Sequence, residues 1–342
     1  MNHLAIDLGS RKSQVCVRAE GGAIVHEGSY RTQDLEAVLC QQEPSHVVLE
    51  TSAEAFTVAR WAEQAGHRLS VIPSTLSSAF GVGHRGVKND LRDARALSLA
   101  ACRLDQLPSV HVPSSRASDW RSLNTAREAL VSARTSLVNC VRGFIRTLVL
   151  EPVRCTPETM PRKVRQALQA SPSGLPEYIE RLLVTLETLN QQISEMDKQV
   201  SELASNDPIC SLLMSVPGVG PVTATRFVAA LDDPTRFQNA SAVTAYLGLT
   251  PGENSSGQSK RRTGLTKAGP APVRRTLVQA AWCHMRLRPN DPMGQWTTAI
   301  AERRGKKIAV IALARKLAGT LFAIWRDLKP YDPQHQAKRQ AS

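Results

Sequence analysis

Four acidic residues stand where their type and spacing could do chemistry. Asp7 closes the apolar run Leu4-Ala5-Ile6, and Glu50 closes the run from His46 to Leu49. Asp90 and Asp93 are three apart, a spacing that puts both on one face of a helix. Four carboxylates meeting at one point repel unless cations lie among them. Mg²⁺, a hard ion that prefers carboxylate and water oxygen, suits that set, with Mn²⁺ as a substitute. Two such ions about 3.5–4 Å apart would stabilise the attacking and leaving oxygens of a phosphodiester exchange. Each residue also has a plainer reading: Asp7 as a turn former, Glu50 as a helix cap, Asp90 and Asp93 as partners of Lys88, Arg92 and Arg95 on a solvated face.

A second chemistry is available at Ser255-Ser256, inside the stretch from Thr250 to Ala271. Leu265 is its only large apolar residue, so the stretch reads as a Gly/Ser loop rather than as core. Lys260, Arg261, Arg262 and Lys267, followed by Arg274 and Arg275, would let it wrap a nucleic-acid backbone. A serine hydroxyl is a weak nucleophile that needs a metal or a base nearby. Attacking a phosphodiester, it would hold one DNA end covalently while strands exchange. The alternative is a flexible loop that only binds phosphates. Upstream, Val216-Pro217-Gly218-Val219-Gly220-Pro221 resembles a helix-hairpin-helix turn. There Gly218 and Gly220 would let backbone approach a phosphate, and free amides at the next helix start would receive it. A tight interhelical turn without a ligand is the alternative.

The elements that must position these groups follow from hydrophobic period. Leu4–Ile6, the alternating Val15 and Val17, and Ala23–Tyr30 read as three strands, the last two joined at Gly21-Gly22. A helix from Thr32, a strand over His46–Glu50, a helix from about Ala53 to Ala65 closed by Gly66, a strand over Leu69–Ile72 and a helix over Asn89–Arg103 follow. That order predicts an RNase H-like α/β fold, in which the strands ending at Asp7 and Glu50 are neighbours. Residues 1–113 are assigned to it. A helical, coiled-coil arm is predicted over 114–206, with Leu123, Leu130, Leu137 and Phe144 seven apart and a proline-punctuated linker at 151–176. Its second helix carries Leu182, Leu186, Leu189, Ile193, Met196, Val200 and Leu203, alternately four and three apart, a heptad seam that pairs within the chain or across subunits. A mainly α C-terminal domain over 207–333 and a disordered tail over 334–342 complete the division.

The formal charge of +13 is concentrated: between Gly257 and Lys316 there are 14 Lys/Arg against 2 Asp/Glu, which points to a nucleic-acid partner. Aromatic residues are only 4%, which weakens readings built on base-stacking platforms. Seven cysteines stand singly, with no C-x-x-C pair, so neither a zinc site nor a disulfide framework is expected, and a reduced, cytosolic compartment is. No signal peptide is expected. The longest apolar stretch, Ile308 to Trp325, is broken by Arg315 and Lys316, so no membrane span is expected either.

The combined residues resemble the DEDD transposases of the IS110 family of bacterial insertion sequences. The resemblance covers nearly the whole chain. It is carried by Ala5-Ile6-Asp7, Leu49-Glu50, Lys88-Asn89-Asp90-Leu91-Arg92-Asp93-Ala94, Val216–Gly220, Tyr246–Pro251, Ser255-Ser256-Gly257, Thr266-Lys267-Ala268-Gly269 and Ala314-Arg315-Lys316-Leu317. It implies a RuvC-like domain whose acidic set, matched here by Asp7, Glu50, Asp90 and Asp93, binds Mg²⁺. It also implies a C-terminal domain with a catalytic serine, matched by Ser255, with Ser256 as the reserve nucleophile and otherwise a nucleic-acid contact. Homo-oligomers, dimer or tetramer, in which one subunit's acidic cluster meets another's serine, are implied, and some members of the family use a structured guide RNA encoded by the element. Two departures stand out: Asn254 where the family is often aromatic, and Pro270 and Pro272 where it continues with Asn or Asp. Two rival readings are an actin-like or sugar-kinase-type ATPase, on Ile6-Asp7-Leu8-Gly9, and a non-catalytic DNA-binding protein, on the basic loop and the glycine turn.

Overall fold

The computed structural model describes residues 1–80, 90–169, 174–256 and 259–334, with the side chains of 254–263 left aside. The chain forms two compact units, Met1–Pro113 and Ser114–Ser342.

The first unit is built on a five-stranded sheet of order β3-β2-β1-β4-β5. Strands β1 (His3–Asp7), β2 (Lys12–Arg18) and β3 (Ile24–Arg31) form an antiparallel meander. Strands β4 (His46–Glu50) and β5 (Arg68–Ile72) join β1 in parallel. Parallel strands at a sheet centre are covered on both faces, so they read as unbroken apolar runs. Leu4-Ala5-Ile6 and Val47-Val48-Leu49 are such runs, and all six residues are fully buried. On one face Leu4, Ile6, Val47 and Leu49 pack on helices α1 (Leu35–Cys40) and α2 (Ala55–Gln64). Gly66 follows the α2 C-cap at φ +83°, the left-handed position that ends a helix. After a single turn, α3 (Ser74–Ser77), helix α4 (Asp90–Arg103) covers the other face, packing Leu97 and Ala101 on Ala5, Val48 and Ile72.

His46 lies buried between these layers, its Nε2 2.8 Å from the Ser70 hydroxyl. Burial pushes its pKa down to about 4, with the nearby Arg68 and His3 charges adding to the effect.

The second unit is mainly helical. Helix α5 (Ser115–Thr147), capped by the Ser114 hydroxyl, lies antiparallel to α7 (Glu177–Asn206), with α6 (Met160–Gln169) between their distal ends. The direction is fixed by ion pairs along the seam: Arg127 to Asp197 at 2.5 Å, and Arg134 to Glu158 at 2.8 Å beside Asn190. The heptad seam of α7 is therefore filled from within the chain. Its buried line is Ile179, Leu183, Leu186, Ile193 and Val200, while Leu182, Leu189, Met196 and Leu203 are half-buried. On α5 the expected line is displaced by one residue. Val138, Val141 and Ile145 are buried, and Leu137 and Phe144 flank them. A third element, α6, packs on the same seam and widens it beyond a two-helix contact.

Helices α8 (Pro208–Leu213), α9 (Pro221–Leu231), α10 (Ala240–Tyr246), α11 (Ala271–Leu287), α12 (Pro292–Arg304) and α13 (Lys306–Asp327) surround a common core. Pro270 and Pro272 sit at the N-cap and first turn of α11, where proline costs the helix nothing, so its start is regular. One detail is corrected here: by length and composition the apolar run of α13 does reach membrane length, with exposed Arg315 and half-buried Lys316 within it, but it is the core helix of this unit. Ten of its residues, from Ala309 to Trp325, are buried in the core of the unit. A second correction concerns the stretch read as a loop. It forms an antiparallel hairpin of β6 (Pro251–Ser256) and β7 (Ser259–Leu265).

Two outcomes are expected. Leu186→Ala should destabilise the second unit by about 2–4 kcal/mol through loss of buried area and a cavity, while Val184→Ala next to it, half-exposed, should change stability by less than about 0.5 kcal/mol. Denaturant unfolding reads both, and an effect that varied with protein concentration would contradict in-chain pairing. For His46, whose folded pKa lies below the unfolded value, the unfolded state binds the extra proton between about pH 6.5 and 4. Stability of the first unit should fall on acidification across that window, and an NMR titration of the ring should show no protonation above about pH 5.

Candidate active site

The acidic edge is assembled by register. Ile6 lies opposite Leu49 across the parallel β1–β4 pair, so Asp7 and Glu50 are the next residues out at the same end of the sheet. Side chains alternate along a strand, so Asp7 shares the face of Ala5, and Glu50 shares the face of Val48. That is the face α4 covers. Helix α4 runs antiparallel to β1, as two contacts on β2 show. The Cys102 thiol reaches the Glu20 carbonyl at 3.5 Å, beyond the β2 end that pairs with His3. Ser98 Oγ lies 3.3 Å from Cys16 Sγ, opposite Ala5. From Ser98 back to Asp93 is five residues, or about 7.5 Å of helix, and from Ala5 to Asp7 is about 6.6 Å of strand. The first turn of α4, carrying Asp90 and Asp93, is thus directed to the edge where Asp7 and Glu50 lie.

Asp93 is buried at 3% exposure, while Asp90 is exposed and Asp7 and Glu50 are half-buried. Among the described residues no three His, Cys, Asp or Glu side chains stand close enough together to hold one ion. Register places Asp7 and Glu50 side by side, and the first turn of α4 is aimed at the same edge, without a closed ligand cluster among the described residues. Lys88 and Asn89, part of the same motif, lie outside the described residues. The position of α4 is held by a two-pronged pair of Arg95 with Glu27 on β3, at 2.5 and 2.6 Å. The Arg95 guanidinium keeps the Glu27 carboxyl below the usual carboxylate range.

The hairpin carries the serines. Ser255 pairs in register with Lys260, and Ser256 with Ser259, so both sit on backbone beside the cationic strand that includes Arg261 and Arg262. The hairpin root is a backbone clasp. Gly248 has φ +67°, and a Cβ there would fall 2.0 Å from the Ala268 carbonyl oxygen; one on Gly269 would fall 1.9 Å from that of Tyr246. Arg274 closes the clasp, donating from Nη1 to the Leu247 carbonyl at 3.0 Å and to the Ala268 carbonyl at 3.2 Å. Thr266 N–H donates to the Thr250 carbonyl at 3.0 Å and continues the ladder.

The remaining predicted contacts divide. Arg274 serves the clasp, and Arg275 pairs with Glu128 on α5, which also holds the buried Arg226 at 2.8 Å. Sequence reading passed over Glu128, and nothing in its helical surroundings distinguishes it. Lys267 is exposed. The turn between α8 and α9 is docked on α11: a Cβ at Gly218 would lie 2.6 Å from the Ala280 carbonyl oxygen, and His284 donates from Nδ1 to the Pro217 carbonyl at 2.9 Å. His284 Nε2 lies 3.1 Å from Asp291, the cap of α12. Gly218 is thus closed in by its own protein, whereas Gly220, the N-cap of α9, has open space beside it.

Comparison with known proteins agrees with an enzyme that moves DNA. Residues 4–149 match the DEDD transposase model of IS110, and residues 210–293 match the model of the IS116/IS110/IS902 transposase family. The transposase of insertion sequence IS1328 from Yersinia enterocolitica is 28% identical, over 94% of this chain and 96% of its own. That of IS1111A from Coxiella burnetii is 28% identical over 94% and 88%. A probable family 20 transposase of Pseudomonas aeruginosa is 26% identical over 95% and 96%. The two family matches and the near full-length relatives identify the chain as a DNA transposase. The chain belongs to the IS110 family of DEDD transposases.

Gly248→Ala should cost roughly 2–4 kcal/mol, since it combines a left-handed φ with overlap on backbone that cannot rotate away. Thermal unfolding measures the loss, and Gly264→Ala, with open space around it, serves as the neutral comparison.

Proposed function

We propose that the chain cleaves and exchanges DNA strands of an insertion sequence, using a metal-dependent acidic edge on an RNase H-like, RuvC-like unit and Ser255 as nucleophile. What supports the reading is strand register, which sets Asp7 and Glu50 side by side at one end of the sheet, together with the course of α4, whose first turn, bearing Asp90 and Asp93, is directed to that end. The donor set is all carboxylate, which fits Mg²⁺ and, as a substitute, Mn²⁺. Asp7, Glu50, Asp90 and Asp93 would hold the ion or ion pair. Bound there, it supplies positive charge to a phosphodiester under attack.

The serine step balances without any added reactant. Ser255 Oγ forms a bond to phosphorus as one P–O ester bond of the DNA breaks. The hydroxyl proton leaves Oγ, and the departing DNA oxygen takes up a proton. One phosphodiester replaces another, so the reverse reaction rejoins a strand. Cations of β7 and Lys267 hold the strand against the hairpin, with Ser256 beside the nucleophile. Gly220 and the first amides of α9 offer a second place for a phosphate. A structured RNA that selects target and donor belongs to the same reading; purification from the native host and sequencing of bound nucleic acid tests it, a discrete RNA being the expected result and bare protein the contrary one.

Asp7→Asn and Asp93→Asn should each lower strand exchange at least about a thousandfold, roughly 4 kcal/mol of barrier, with DNA affinity within about threefold of the parent. Chelation should abolish exchange and Mn²⁺ should restore it. Ser255→Ala should form no covalent adduct on nicked DNA while Ser256→Ala does. Both acidic variants remaining fully active would rule out the metal reading, and an adduct on Ser255→Ala would move the nucleophile elsewhere.

A further inference from the structure

The second unit carries a groove that none of the proposed contacts uses. It has a volume of about 620 Å³ and lies between α10, α12 and α13, at the root of the hairpin, where Pro251 and Leu265 form part of its wall. Its floor is apolar, with Leu249, Ile311 and Trp296. Every charged side chain lining it is a cation: Arg304, Arg315 and Lys316. Arg304 and Arg315 are exposed and make no ion pair among the described residues. Lys316 lies over the Trp296 ring, 4.4 Å from its centroid. Burial lowers its pKa, and Asp291 offsets this only in part, without coming into ion-pair range.

The rim continues the same sign. Arg303 and Arg304 end α12, Gly305 turns the chain at φ +85°, and Lys306 and Lys307 open α13. All four cations are exposed. The first turn of α13 holds no acidic residue, so two lysines stand at the positive pole of that helix. Glu302 next to them is an exposed carboxylate, as is Glu253 two residues beyond Pro251 on β6, and neither lines the groove. A surface of this kind is destabilised by its own repulsion and is relieved by a polyanion. Its form narrows the occupant further. A cationic rim over an apolar floor suits a chain that alternates phosphates with flat, weakly hydrated rings.

We infer that this groove binds a single strand of nucleic acid, with phosphates on Arg304, Arg315 and Lys316 and a base or sugar on the floor beside Trp296. The inference rests on the reading of the hairpin as carrier of the nucleophile. From Pro251 to Ser255 is four residues, or about 13 Å of strand, a distance spanned by about two nucleotides. A strand lying in the groove is thereby led along β6 toward the serine. DNA and RNA share the recognised chemistry, and the test separates them.

The experiment is fluorescence anisotropy of labelled single-stranded DNA, single-stranded RNA and duplex DNA on the full-length chain, over a range of salt. Arg304→Glu combined with Arg315→Glu should weaken single-strand binding more than tenfold and reduce the slope of log affinity against log salt by about 1.4, two contacts at about 0.7 each. Trp296→Leu should weaken binding with the slope unchanged, because no charge is lost. Circular dichroism and thermal unfolding check that each variant is folded. The single strand that shows the loss, DNA or RNA, is the occupant. Parent-like affinity and slope in a folded double variant would overturn the inference, as would a loss confined to duplex. Because no cleavage is measured, the result is separate from the serine reading: an adduct on Ser255→Ala would end that reading and leave the groove, and normal binding by the double variant would do the reverse.

Discussion

The docking of α4 across the open face of the sheet is the contact on which the acidic edge depends. Strand register alone supplies two carboxylates, Asp7 and Glu50, side by side at the end of β1 and β4. The other two come from a helix that begins forty residues after Glu50, and their position follows from where that helix lies. Leu97 and Ala101 fix its height above Ala5, Val48 and Ile72; the Ser98 and Cys102 contacts fix its direction; the Arg95–Glu27 pair ties it to the edge strand. Removing the apolar contacts would release half of the acidic set while leaving the sheet intact. The apolar and acidic residues of α4 thus form one device: its later turns grip, and its first turn delivers carboxylates.

The serine depends on a different kind of constraint. Among the described side chains of β6 and β7, Pro251 and Leu265 reach the groove wall. What holds the hairpin is close backbone approach at its base, where Gly248 and Gly269 admit carbonyl oxygens into space that any side chain would fill. Arg274, by sequence one more cation of a basic stretch, donates from Nη1 to the Leu247 and Ala268 carbonyls at that base. A count of positive charge therefore overstates what is available to a nucleic acid in this segment, and understates what the exposed corner from Arg303 to Lys307 offers.

Much of the first unit was legible in the residues, because its signals are of long range and strong. Fully buried runs such as Leu4–Ile6 and Val47–Leu49 announce parallel central strands, and Gly66 marks the end of α2 in a way no other residue would. The mixed α/β sheet and the mainly helical remainder were both foreseen. The hairpin was not, although its sequence held a cue: Gly257-Gln258 between Ser256 and Ser259 has the Gly-X spacing of a two-residue β-turn. Polarity outweighed that cue, since strands on a surface need not alternate. The seam on α5 was placed one residue off because a third helix, α6, shares it, and periodicity registers the existence of a packed face better than its width. In α13 the length of the apolar run was underread for a related reason: exposed Arg315 and half-buried Lys316 leave the buried line of Leu313, Ala314, Leu317 and Ala318 continuous. Whether the carboxylates hold an ion, and whether the serine is the nucleophile, is a matter of chemistry that neither period nor burial records.

The antiparallel course of α4 has an electrostatic consequence. Peptide dipoles in a helix add up to about half a positive charge at its N-terminal pole, and that pole is the end that meets the carboxylates. The edge therefore receives a fixed partial countercharge from the backbone itself, one that chelation or pH cannot remove. It also makes the helix a ruler: each residue inserted or deleted between Asp93 and Ser98 would swing the acidic pair by about 100° around the axis and shift it by about 1.5 Å. That short stretch should tolerate changes of side chain far better than changes of length.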